Sequence, residues 1–310
     1  MVMPTASQLP PCEAIAKNTA KLAESVGMKA TVFDNAGGPQ AWIPGVQQAT
    51  SQKYAALVLV CGIDPNLIKP QIEAAKAAGV AVIDSGLGDA DLKTPNDGIV
   101  TASTDIGEGR PYIAAAGLAF LAANGKPIHF LEWTSNDIPS SVVMSKAFHK
   151  LVADNCPGCK ITSINVPSPE WGTKLQPAVA SALTANPDIT VIMATFDAVP
   201  PIEAAIKGSG NKNVRIYGAT GGTAEYIAQM GAADNKMMTN VASSVSWRAY
   251  SAADLMFRVV SGVATPDPWM EADGMRIFTP DSYKESADAS VGYGYGTEYP
   301  KDYESLWLDQ

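Results

Sequence analysis

The sequence predicts an α/β protein made of two doubly wound, parallel-sheet lobes. One unit recurs along the chain: a helical stretch rich in Ala and Lys ends at a glycine, and a short β-branched run follows. The predicted strands are short and nearly all apolar, as strands are when helices cover both sheet faces. Strands that alternate with helices build βαβ units and parallel sheets. About nine or ten such strands exceed one comfortable sheet at this length, so they divide between two.

The elements follow in chain order. Met1–Met3 reads as the end of a first strand, halted by Pro4. No charged or apolar leader precedes it, so the native chain is expected to begin upstream with an export signal. Residues 13–26 read as a helix stopped by Gly27, with a strand at Ala30–Phe33. A strand at Ala55–Val60 precedes a helix at Leu67–Ala78, stopped by Gly79, and strands at Val80–Ile83 and Gly98–Ala102. A glycine just past a helix supplies its left-handed C-cap. The break between lobes falls near Ser103, Thr104 and Asp105.

Beyond the break come a helix at Tyr112–Ala123, stopped by Asn124-Gly125, and a strand at Ile128–Leu131. A helix at Ser141–Ala153 and a strand at Ile161–Val166 follow, then strands at Ile189–Ala194, Val214–Tyr217 and Met238–Ser243. A short helix at Ile202–Lys207 runs into Gly208 and Gly210. From Asp281 the chain is rich in Tyr, Gly and charge, and reads as an irregular surface segment held by Tyr299, Tyr303, Leu306 and Trp307.

Composition narrows the function. With 46% hydrophobic and 17% charged residues the chain is globular rather than disordered. A net charge of −9 repels phosphate backbones, which argues against nucleic acid. No run of 18 apolar residues is present. Cys156-Pro-Gly-Cys159 follows a helix, whereas a redox CxxC opens one, and only His129 and His149 could complete a zinc site. A structural disulfide is therefore expected, in an oxidising compartment. Cys12 and Cys61 lie on one edge of a predicted sheet and are either a second bridge or two buried thiols.

Tests for catalytic motifs return little. No GxGxxG follows the first strand and no GxSxG elbow exists. Gly218-Ala-Thr-Gly221-Gly222 reads as a turn at a strand end. His129 falls in a strand and His149 in a helix, where both read as structural. No cofactor is expected, and the chain is not expected to be an enzyme.

The order of elements resembles the type I periplasmic sugar-binding family, the ribose-binding-protein-like group, over nearly the whole chain. Five stretches carry the resemblance: Gly38-Pro-Gln before a helix; Ala55–Val60 with Asp64-Pro and the run Ile72–Ile83; Ser103-Thr-Asp-Ile-Gly107; Leu183–Asp188 before a strand that leads to Asp197; and the late helix Ala252–Gly262. The resemblance implies a periplasmic binding protein type I fold with a three-crossing hinge. Lobe one would hold residues 1–103 and 244–275, and lobe two residues 104–243 and 276–310. A small molecule would bind between lobes at the C-terminal strand ends, as in open parallel sheets generally.

It further implies an exported, monomeric receptor, periplasmic or extracellular and anchored through an upstream segment. This receptor would deliver its ligand to the membrane permease of an ABC importer. The rival readings are the effector domain of a transcription regulator with this fold and an α/β enzyme.

The chain departs from the family at the sugar-reading charges. Asp84-Ser85-Gly86-Leu87 lacks the usual Arg, Val142–Met144 replaces another, Phe196 stands for an Asn and Thr220 for an Asp. Such groups supply charge-assisted hydrogen bonds to hydroxyls. Aromatic residues Trp133, Trp171 and Phe196 fall at strand ends instead, with polar candidates Ser7, Gln8, Asp84, Ser85, Asn136, Asp137, Asp197, Thr220 and Ser243. Aromatic faces stack on sugar C–H faces or planar rings, so the expected ligand is a small polyol or deoxy-sugar, or a less polar, aromatic compound.

Overall fold

The computed structural model describes residues 1–86, 98–104, 109–265 and 274–308. Among these, ten strands form one sheet of four and one of six. The chain divides into two units, 1–107 with 244–274 and 297–310, and 108–243 with 275–296. Asp105, Ile106, Gly107 and Leu87 lie outside the described residues.

The first unit runs β1 (Val2–Pro4), α1 (Pro10–Ser25), α2 (Pro39–Ser51), β2 (Ala56–Val60), α3 (Lys69–Ala77), β3 (Ala81–Ser85) and β4 (Ala102–Thr104). The strands pair in parallel in the order β1-β2-β3-β4. Successive side chains leave a strand on opposite faces, and here both faces are buried. Leu57, Leu59 and Val82 pack with Trp42 and Ile72 on one side; Val58, Val60 and Ile83 pack with Ile15 and Ala16 on the other. This is why β2 reads as an unbroken apolar run.

Two expected strands change. Ala30–Phe33 keeps only one parallel bridge, Val2 to Val32, formed by Val2 N–H to Thr31 O (2.8 Å) and Phe33 N–H to Val2 O (2.9 Å). The strand expected at Gly98–Ala102 begins only at Ala102. Lys76 Nζ holds the carbonyls of Gly98, Ile99 and Val100 at 3.1, 2.9 and 3.4 Å, which turns them away from the ladder.

The second unit runs α4 (Gly109–Ala123), β5 (His129–Thr134), α5 (Pro139–Asn155), β6 (Lys160–Asn165), α6 (Gln176–Ala185), β7 (Val191–Thr195), α7 (Val199–Ser209), β8 (Arg215–Ala219), α8 (Ala224–Ala228), β9 (Met237–Ser243) and β10 (Met275–Phe278). Its order is β10-β9-β8-β7-β5-β6, parallel except for β10. Sequence patterning misses β10, whose Met275 and Ile277 are exposed on an edge strand. The chain leaves β5 toward β6 on one side and returns to β7 on the other. That reversal is a topological switch point, where open sheets bind ligands.

Two further helices, α9 (Val245–Ser261) and α10 (Tyr299–Leu308), return to the first unit. The end of the tail, residues 297–310, is therefore not irregular and belongs to the first unit, while residues 275–296 stay with the second. That end holds a helix docked on α9 by rings: Trp247 stacks on Tyr299 at 4.3 Å, and Tyr250 and Phe257 pack on Trp307 at 5.6 and 4.8 Å. Trp307 Nε1 donates to buried Asp254 (2.8 Å), which also pairs with Arg258 at 2.6 Å. Leu306 stays exposed. With the tail, the chain passes between units four times where the resemblance implies three.

All four cysteines are bridged, Cys12 to Cys61 and Cys156 to Cys159. The first pair is thus a bridge and not two buried thiols. Loop-closure entropy makes the two unequal. With sequence separations of 49 and 3, removal should cost about 4 kcal/mol for Cys12–Cys61 and about 2 kcal/mol for Cys156–Cys159. Urea unfolding of the Cys12→Ala/Cys61→Ala and Cys156→Ala/Cys159→Ala proteins checks this; an equal loss would refute the ranking.

Candidate ligand-binding site

In the second unit the candidate residues gather where β5, β7, β8 and β9 end. Ser135, just past β5, is fully buried; its Oγ donates to Val166 O (2.6 Å) and accepts from Trp171 Nε1 (2.7 Å). The indole is thereby fixed. Trp171 opens a five-residue π-turn, Trp171–Leu175, ahead of α6, a rare form frequent at functional sites. Its ring lies parallel to Phe196 at 5.8 Å and 11°, and both are half-buried. Trp133 was expected in a cleft-lining loop. It lies instead inside β5, 1% exposed, and meets Trp171 edge-on at 5.2 Å. It supports Trp171 from the core and presents no face of its own.

The loops after β7 and β8 are strained. Phe196, Asp197 and Thr220 have φ of 53°, 57° and 51°, a left-handed conformation that costs non-glycine residues about 1 kcal/mol or more each. Hydrogen bonds hold it: Phe196 N–H to Thr220 O (2.7 Å), Thr220 N–H to Val241 O (3.1 Å), and the amides of Gly222 and Thr223 to the two Asp197 oxygens at 2.8 and 3.0 Å. The glycine pair is required here. A Cβ on Gly221 would sit 2.5 Å from Asp197 Oδ1, and one on Gly222 would overlap Ala242.

These bonds reassign the polar candidates. Asp197 grips a loop, aided by the Asn240 side chain. Asp137 is exposed, and its carboxylate accepts the Ser168 amide (3.1 Å) and hydroxyl (2.6 Å). Exposed Asn136 donates its amide to Asn165 Oδ1 (2.9 Å). Thr220 is buried, with its hydroxyl on Ala219 O (2.7 Å). Half-buried Ser243 joins the cluster through its amide, which meets Gly221 O at 3.3 Å. The second unit thus offers two aromatic faces and commits both of these carboxylates to loop geometry.

In the first unit the candidates lie where β1 and β3 end. Ser7 and Asn35 exchange bonds, Ser7 N–H to Asn35 O (2.9 Å) and Asn35 N–H to Ser7 Oγ (3.0 Å). Exposed Gln8 donates to Ala36 O (2.9 Å). Asp84 is fully buried, and Ser85 Oγ accepts from Thr104 Oγ1 at 2.9 Å. Beside them lies a residue the sequence reading passed over, Arg248 in the first turn of α9. A Cβ on Gly86 would stand 3.0 Å from its Nη2. The overlooked signal was a cation in the first turn of a helix, where the helix dipole disfavours it.

Chemistry is poorly supplied. Among the described residues no group of three His, Cys, Asp or Glu could hold a metal. Glu132, His149 and Ser163 do meet, but His149 Nε2 (2.8 Å) and Ser163 Oγ (2.9 Å) both bind the same Glu132 oxygen. A nucleophile triad needs opposite imidazole nitrogens on the serine and the acid. No helix among the described residues is long and apolar enough to cross a membrane.

Neither a protein-family model nor a curated protein matches the chain by sequence. Solved structures do match. The chain is similar to an ABC transporter solute-binding protein from Agrobacterium vitis with bound allitol, at 14% identity and TM-score 0.77, covering 92% of this chain and 97% of that one. It is similar to the 5-methylthioribose transporter solute-binding protein of Thermotoga lettingae, at 14% identity and TM-score 0.75, covering 93% and 88%. It is also similar to a sugar ABC transporter from Yersinia enterocolitica, at 20% identity and TM-score 0.69, covering 86% and 78%. The fold is that of the two-lobed type I periplasmic binding proteins.

Burial raises the Asp197 pKa above the usual 3.8, against the pull of the Gly222 and Thr223 amides. The neutral acid is therefore favoured on folding. As pH rises from 3.8 through the raised value, the native state holds more protons than the unfolded one, so stability falls. Denaturant midpoints measured across that window should decline, and Asp197→Asn should remove this part of the slope. An unchanged slope would show that burial does not govern this carboxylate.

Proposed function

We propose that the protein is an extracytoplasmic receptor. It captures one small solute and delivers it to the permease of an ABC importer. The observation that carries this reading is the parallel pair Trp171–Phe196, half-buried at the switch point of the second sheet. Such a pair offers a flat apolar surface, which suits the C–H face of a sugar or polyol or a planar ring. The neighbours of the same fold bind solutes of this size, among them allitol and 5-methylthioribose. Two disulfides favour an oxidising compartment, periplasmic or extracellular. The protein acts as a monomer without a cofactor and catalyses no reaction.

A thermal-shift screen over allitol, glycerol, L-rhamnose, 5-methylthioribose and aromatic acids should give a clear stabiliser, since a ligand of the folded state raises stability. Trp171→Ala should weaken its binding about tenfold or more by calorimetry. Stabilisation by nucleotide cofactors alone would overturn the receptor reading, and unchanged affinity would remove Trp171 from the site.

A further inference from the structure

The two disulfides differ in more than loop length. Cys12–Cys61 joins α1 to the chain just past β2, and Cys12 is buried. Cys156–Cys159 closes the turn between α5 and β6, where Pro157 and Gly158 are exposed and both cysteines are half-buried. Backbone bonds hold this turn as well. Cys156 N–H donates to Val152 O at 2.8 Å, and Cys159 N–H donates to Cys156 O at 2.9 Å. Neither bond needs the bridge. A disulfide within reach of solvent exchanges with thiols more readily than a buried one.

The two sulfurs of this bridge are not equivalent. Ile128 N–H donates to Cys159 Sγ at 3.1 Å. A donor aimed at an ionisable atom favours its charged form, so Cys159 is the better leaving thiolate. Cys156 caps the C-terminus of α5. It stands at the negative end of the helix dipole, which disfavours a thiolate there. An incoming thiolate attacks the sulfur whose partner leaves more readily, and that sulfur is Cys156. The position that makes Cys156 a poor nucleophile makes it the electrophile of the pair.

We infer that Cys156–Cys159 is a thiol-exchange site whose co-substrates are small thiols of the cysteine or glutathione class. The small thiolate forms an S–S bond to Cys156 Sγ, the Cys156–Cys159 bond breaks, and Cys159 leaves with the electron pair. A second small thiolate attacks the outer sulfur of that mixed disulfide and releases Cys156. In balance, two thiols become one disulfide and the bridge becomes two thiols, with two electrons and two protons transferred. The site lies where β5 and β6 begin, at Ile128 and Lys160, whereas Trp171 and Phe196 lie beyond strand ends of the same sheet. This activity is separate from the receptor reading and does not rest on it.

The test incubates the folded, oxidised wild type with excess glutathione, blocks free thiols with N-ethylmaleimide at successive times, and maps the peptides by mass spectrometry. The expected early product carries glutathione on Cys156 and maleimide on Cys159, with Cys12–Cys61 still bridged and circular dichroism unchanged. Glutathione on Cys159 with maleimide on Cys156 would overturn the assigned direction of attack. No labelling without denaturant, or labelling of all four cysteines together, would overturn the site itself. Single variants check the direction without the mixed disulfide. Below neutral pH, Cys159 in Cys156→Ala should react with maleimide at least about tenfold faster than Cys156 in Cys159→Ala. Equal rates would show that the Ile128 amide and the helix end do not distinguish the two sulfurs, and would overturn the direction.

Discussion

The central strands of both sheets are buried on both faces, and this constraint places everything else. A doubly covered parallel strand favours apolar side chains along its middle, because an unpaired polar group there costs free energy. Leu57 through Val60 and Val191 through Ala194 show the result. Polar and strained residues collect where the strands stop. Ser7, Ser85, Gly86, Phe196, Asp197 and Thr220 all sit within three residues of a strand end.

Within the second unit one carboxylate organises that end. Asp197 binds the amides of Gly222 and Thr223. In doing so it holds Phe196 and Thr220 in conformations that side chains avoid. Phe196 then presents a ring parallel to Trp171, whose indole N–H is tied to Ser135. The charged residue acts on backbone, and the aromatic residues stay half-buried against the core. The first unit reverses the division: its glycine makes room, and a guanidinium from a distant helix fills the place.

The fold was largely legible because helix-capping glycines and apolar strand runs are local signals. Gly27, Gly79 and Gly262 all have positive φ at helix ends, at 85°, 87° and 73°. What escaped was non-local. β4 starts late because Lys76 captures three carbonyls far along the chain, and β10 is an edge strand without an apolar run. Of the site, Trp171 and Phe196 could be placed at strand ends from spacing alone. Trp133 could not, since one extra pair of residues in β5 separates a loop position from the core. The meeting of Arg248 with Gly86 escaped for another reason: the two lie more than a hundred residues apart, and chain order hides such meetings.

The docked helix α10 bears on how the protein is made. The first unit needs three separate stretches of chain, the last beginning at residue 297. The core of the second unit comes from one stretch, 108–243, with a late edge strand. As the chain emerges from the ribosome or a translocation pore, the second unit gains most of its partners early. The first must wait for Trp307 to reach Asp254. Contacts of such long range slow folding. The half made first is thus the half completed last, when α10 docks on α9.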